Sequence, residues 1–178
     1  MSDYEITALI LSEHEVFRRE FAKLDDLSPE ELDAAWTSLA DQLEVHASAE
    51  EEMFYPLLAQ AGREEADDAR SQVHDHNEIR DSVRAVAEQE MGSEAWWTAV
   101  RNAQEVNAEH MAEEERESLP SFREAVDAEQ RGELGMRWLQ FHDEHENAQG
   151  LSGADEDPDA LVDAALEAAE QDPQAPHA

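Results

Sequence analysis

Four histidines and two glutamates fall where helical turns would bring them to one side. His14, His46, His76 and His110 each sit inside an apolar stripe, and His46 and His110 are each followed four residues later by a glutamate, Glu50 and Glu114. One turn of helix sets such a pair on one face, close enough to hold a common metal. A lone core histidine ordinarily bonds a neighbour, and an i+4 glutamate is commonplace in so acidic a chain. The coincidence of all six is different. Burying two ionised carboxylates and four imidazoles without counter-charge is strongly unfavourable, and a cation offsets it. Imidazole with carboxylate suits Fe, Zn, Mn or Cu. Six ligands are too many for one tetrahedral zinc and suit two metals, with Glu50 and Glu114 bridging. Two octahedral irons would take further ligands from water, oxide or hydroxide, leaving positions for O2 or peroxide.

The elements that must position these groups are all helical, and no segment alternates like a strand. The first helix is expected from Ser2 to Leu24, with Ser2 and Glu5 as a capping box and Ile6, Ile10, His14, Phe17, Phe21 and Leu24 on its inner face. Ser28-Pro29-Glu30-Glu31 opens the second, whose stripe runs Leu32, Trp36, Leu39, Leu43, His46, Glu50, Met53, Leu57; Pro56 kinks it and Gly62 stops it. A third from Arg63 to Met91 carries Val73, His76, Ile79, Val83 and Val86, and Gly92-Ser93 breaks and recaps the chain. The fourth carries Trp96, Val100, Ala103, Asn107, His110 and Glu114 and meets Leu119-Pro120. The pattern predicts an all-α, up-down-up-down four-helix bundle over residues 1–124. An extra helix is expected within 125–149, part of a helical stretch from Ser121 to Asn147. An acidic, mobile tail with a short helix after Asp157-Pro158 fills 150–178.

Composition narrows the function classes. The chain has 178 residues, 12 Lys+Arg against 46 Asp+Glu and a net charge of −34, so phosphate-bearing partners such as nucleic acid or an anionic membrane are repelled. It has no Cys, which excludes disulfides, Fe–S clusters and thiol catalysis. The longest N-terminal apolar run, Ile6–Leu11, is too short to span a membrane and lacks the basic flank of a signal peptide, which points to a cytoplasmic protein. An almost Lys-free acidic coat also points to a high-salt setting.

The chain resembles the hemerythrin-like, or HHE cation-binding, family of four-helix di-iron proteins. The likeness rests on His14, the block His46-Ala-Ser-Ala-Glu50-Glu51-Glu52-Met53-Phe54-Tyr55-Pro56, a third-helix histidine, and His110 followed by Glu113-Glu114-Glu115 and Leu119-Pro120. It covers roughly residues 5–124. It implies a non-haem centre of two irons, bridged by oxide or hydroxide. The activities it implies are O2 binding, O2 or iron sensing, iron or NO handling, or peroxide decomposition. On the third helix, His76 steps to Ile79, Val83 and Val86. His74 pairs with Glu78 at i+4, but on a face that reads as solvated. His76 is therefore preferred, with His74 and Glu78 as the alternative; bacterial relatives likewise place a basic residue four after this histidine, as Arg80 stands here. Oxygen carriers have two third-helix histidines, so this departure favours a sensor, storage or redox role over simple carriage.

Glu51, Glu52, Glu113 and Glu115 flank the ligand carboxylates as candidates to support them, and Tyr55 either donates to the site or packs beside Phe54. His142 and His145 lie in the extra helix and His177 in the tail, read as core or surface residues rather than ligands. A carboxylate-dominated ferritin-like oxidase fits the His-rich set poorly. A peroxide-decomposing enzyme at the same centre, or an acidic interaction or stress protein without catalysis, are the competing functions. The sequence provides no dedicated acid–base residue that separates a binding protein from an enzyme.

Overall fold

The computed structural model describes residues 4–171; Ser2 and His177 lie outside the described residues. In chain order the helices are α1 (Ile6–Lys23), α2 (Pro29–Met53), α3 (Tyr55–Ala59), α4 (Arg63–Ala87), α5 (Glu94–Arg116), α6 (Ser118–Ala125), α7 (Ala128–Glu144) and α8 (Pro158–Gln171). There is no strand among the described residues. The bundle is formed by α1, α2, α4 and α5 and has the expected all-α character.

Local chemistry explains the breaks. Glu31 accepts from the Ser28 N–H (3.0 Å) and hydroxyl (2.7 Å), which starts α2. Pro56 and Pro120 each stand six residues after a motif glutamate. Neither has an N–H to continue the ladder, so α2 yields to α3 and α5 to α6. The third bundle helix ends at Ala87 rather than at Met91, which is exposed; Gly92 takes a left-handed φ of 74° and the Ser93 hydroxyl accepts from Trp96 N–H.

Two further expectations need correction. The single helix expected over Ser121–Asn147 is two. Val126 is extended, and the Asp127 carboxylate accepts from the N–H groups of Glu129 and Gln130 at 2.9 Å, restarting the chain as α7. The stretch after Gly150 is docked along α4 through residue 171 instead of trailing free. Arg70 reaches Asp159 and Asp163 at 3.0 Å, Arg84 reaches Asp155 and the Gly153 carbonyl at 2.7 Å, and Val162 is buried against the bundle. Two of the few cations thus recruit the acidic segment, and burial of Val162 and Ala165 supplies the apolar part.

Two apolar cores occupy opposite ends of the bundle. One joins Ile6, Ile10, Phe54, Tyr55, Phe122 and Trp138; the other joins Phe17, Phe21, Trp36, Leu39, Trp96 and Val100. The layer between them is where the polar groups lie.

Candidate metal centre

His14, His46, Glu50, His76, His110 and Glu114 are all buried, and their donor atoms converge in two groups that share Glu50. His14, His46, Glu50 and Glu114 have donor atoms within 4.8 Å of one another; Glu50, His76 and His110 form the second such group. Glu50 faces both ways, with Oε1 3.2 Å from His46 Nε2 and Oε2 3.1 Å from His76 Nε2. Glu114 Oε2 is 3.2 Å from His14 Nε2. The structure does not bring in the alternative pair. His74 and Glu78 are exposed on the outer face of α4, 3.6 Å apart.

An outer ring of carboxylates aims the imidazoles. His14 Nδ1 meets Glu115 at 2.9 Å, His46 Nδ1 meets Glu13 at 2.8 Å, and His76 Nδ1 meets Glu51 at 3.0 Å. Asp75 lies 3.8 Å from His110 Nδ1, too far for a direct bond. Each outer carboxylate leaves the Nε2 atom free to face inward, an arrangement typical of metal-binding histidines. The outer ring is itself anchored. Arg80 is buried and holds Glu51 at 2.8 Å and Glu44 at 3.0 Å, while Arg18 holds Glu115 at 2.7 Å. Glu13 accepts from Trp138 Nε1 at 2.7 Å and lies 3.2 Å from His142 Nε2, so α7 roofs the site.

The electrostatics follow from these neighbours. Burial alone would lower His46, but the Glu50 and Glu13 carboxylates outweigh it and hold it well above the ordinary imidazole range. His76 is likewise opposed by burial and raised to about 9 by Glu50 and Glu51. Burial pushes Glu50 upward, yet His46 and His76 carry it well below the usual carboxylate range. Tyr55, buried among Glu114, Glu50 and Glu51, is pushed well above its usual value and so keeps its proton. Its hydroxyl is 3.2 Å from Glu114 Oε1 and 3.3 Å from Glu50 Oε2, a donor at the centre that also packs beside Phe54.

The inward atoms fit a cation. His14 Nε2, His46 Nε2, Glu50 Oε1, Glu114 Oε2 and both His110 nitrogens are buried without a hydrogen-bond partner, although several approach another donor or acceptor closely. Unsatisfied lone pairs this deep are unfavourable in a fold that offers nothing else to meet them. A positive ion among them satisfies the set at once.

Sequence reasoning singled out Glu51 and Glu115 as supporting carboxylates, and they stand behind His76 and His14. Glu52 is instead on the surface near Arg137 (4.0 Å), and Glu113 joins Asp68 and Glu117 in an outer acidic cluster. Glu13 and Asp75 were missed, and Trp138 and His142, read as core or surface residues, meet Glu13. Asp75 precedes a ligand candidate in sequence, and Glu13 precedes His14 but serves His46 on another helix. That cross-helix pairing leaves no local signal.

The four bundle helices that carry these residues fall within the span of a known family. The family described as hemerythrin HHE cation binding domain matches residues 5–122, two-thirds of the chain, and the chain belongs to that family. No curated protein and no solved structure matches it. The matched span ends within α6, so α7 and α8 lie beyond it. A small ligand and a cation are the partners this membership indicates, and no helix among the described residues is long and apolar enough to cross a membrane.

Proposed function

We propose that the chain is a cytoplasmic non-haem di-iron protein that binds or senses O2, peroxide or NO, or handles iron. His14, His46, Glu50 and Glu114 would hold one iron and His76, His110 and Glu50 the other, with Glu50 spanning both. The observation that carries this reading is the convergence of unpartnered inward atoms in two groups joined by one carboxylate. Iron would supply redox chemistry and open positions for a small ligand. The chain's own residues do the rest: the outer carboxylates fix each imidazole, Arg80 and Arg18 fix those carboxylates, and the two apolar cores limit the approach of water. Adding O2 or NO to the reduced, iron-loaded protein under anaerobic control tests it. A saturable optical change supports the reading, and a spectrum indifferent to both gases contradicts it.

Tyr55 favours peroxide decomposition as a second reading. Its hydroxyl lies 3.2 Å from Glu114 Oε1 and 3.3 Å from Glu50 Oε2, a hydrogen-bond donor beside both inner carboxylates. Under that reading O2 is released from added peroxide, and Tyr55→Phe slows the release while iron content stays unchanged.

A further inference from the structure

Gln72 is fully buried, and neither its amide nitrogen nor its amide oxygen has a hydrogen-bond partner. A primary amide can make several hydrogen bonds, so leaving both ends unmet in a protein interior opposes folding. A leucine of similar size would avoid that penalty. The residue therefore calls for a use.

Its position supplies one. Gln72 precedes His76 by one turn of α4, so the two share a face. The pairing of α4 with the α5–α6 segment is fixed at two levels. The Ser118 hydroxyl donates to Asp68 at 2.7 Å, and the rings of His76 and His110 lie 4.7 Å apart. Eight residues separate Asp68 from His76, and eight separate Ser118 from His110 in the opposite sense. Midway between the two levels stand Gln72 on α4 and Glu114 on α5. Gln72 thus stands one turn before His76 on the face of α4 that meets α5. His76 belongs to the group with three protein donors, against four in the other. The Tyr55 hydroxyl, 3.2 Å from His76 Nε2, is a further polar neighbour of that group.

We infer that Gln72 is a ligand-binding residue whose amide N–H donates to a small anion or oxygen-terminated molecule held at the cation centre. This rests on the reading that iron is bound there. A neutral amide suits this role because it adds a donor without adding negative charge to a cluster already rich in carboxylates. Its oxygen remains free to accept a hydrogen bond from a guest that carries a hydrogen.

The full chain loaded with iron, with azide as the probe, tests this by comparing wild type with Gln72→Leu and Gln72→Glu. Iron per chain, azide affinity from the optical spectrum, and the Tm of the metal-free protein are measured for each. In Gln72→Leu the iron content is retained, azide binds roughly tenfold more weakly or worse, and the metal-free Tm rises because the unmet amide is gone. Gln72→Glu also weakens azide, since a carboxylate there repels it. Unchanged azide affinity in an iron-replete Gln72→Leu overturns the inference, as does a wild type that takes iron but no azide. Lost iron makes Gln72 a metal ligand instead, and a lowered metal-free Tm gives it a role in the fold; either outcome overturns it. A wild type that takes up no iron removes the reading beneath it and the inference together.

Discussion

Three of the histidines, His14, His46 and His76, stand between an inner and an outer carboxylate, and for His46 and His76 the carboxylates raise the imidazole pKa and so shape how the metal-free chain responds to pH. His76 has its folded pKa raised from 6.5 to about 9. Its contribution is therefore fully present below pH 6.5 and lost as pH rises through about 9; a shift of that size corresponds to roughly 3 kcal/mol. Glu13 works in the other direction. Burial opposes its charge, but His142 and His46 lower it from 4.5 to about 2, so its contribution is present above 4.5 and lost as pH falls towards 2. The urea midpoint of the metal-free protein should accordingly be highest between these limits and fall on either side. A midpoint that keeps rising from about pH 7 to about pH 10 would contradict the His76 pairing. The same protons must leave when a cation enters, so metal affinity should climb with pH. At this scale the sequence was informative wherever a ligand candidate repeats at helical spacing. It was silent on Glu13 and Gln72, whose meaning depends on which helices become neighbours.

Among the elements, α7 is the addition that reaches the centre. Gly135 allows it to lie against the backbone of Tyr4 and Glu5, where a Cβ would collide with the Tyr4 carbonyl. Trp138 then delivers its N–H to Glu13 while its ring meets His46 edge-on at 5.5 Å. Trp138→Phe keeps most of the ring and removes that donor, so metal affinity should fall about tenfold or more with the helical circular dichroism unchanged. Equal affinity in the two proteins would leave α7 a structural cover only. For α8 the expectation is the reverse. Val162→Ala should cost about 2 kcal/mol in a denaturation curve and leave metal content untouched. The long helices were legible because stripes, prolines and caps are local signals. The break at Asp127 was missed because apolar positions continue across it, and the short helix expected after Asp157-Pro158 was read as part of a mobile tail because the tail's ion pairs with Arg70 and Arg84 join remote segments.

For the whole molecule, a charge of −34 rests on a fold with two apolar cores and a buried polar layer, so most of the acidity is on its outer surface and in the docked C-terminal segment. Mutual repulsion among those carboxylates favours unfolding, and salt screens it. Stability should rise from low to molar NaCl, and a flat or falling curve would count against a high-salt setting. The bundle and its apolar-stripe histidines could be read from the chain; the docking of residues 151–171, whose aspartates meet Arg70 and Arg84, could not. The central claim is that six buried side chains hold a pair of irons, and metal analysis tests it most directly. Purified after iron-replete expression, the wild type should carry about two irons per chain, while His46→Ala and His110→Ala should each lose metal and remain helical. One zinc with no iron in the wild type, or full iron in both variants, would contradict the account.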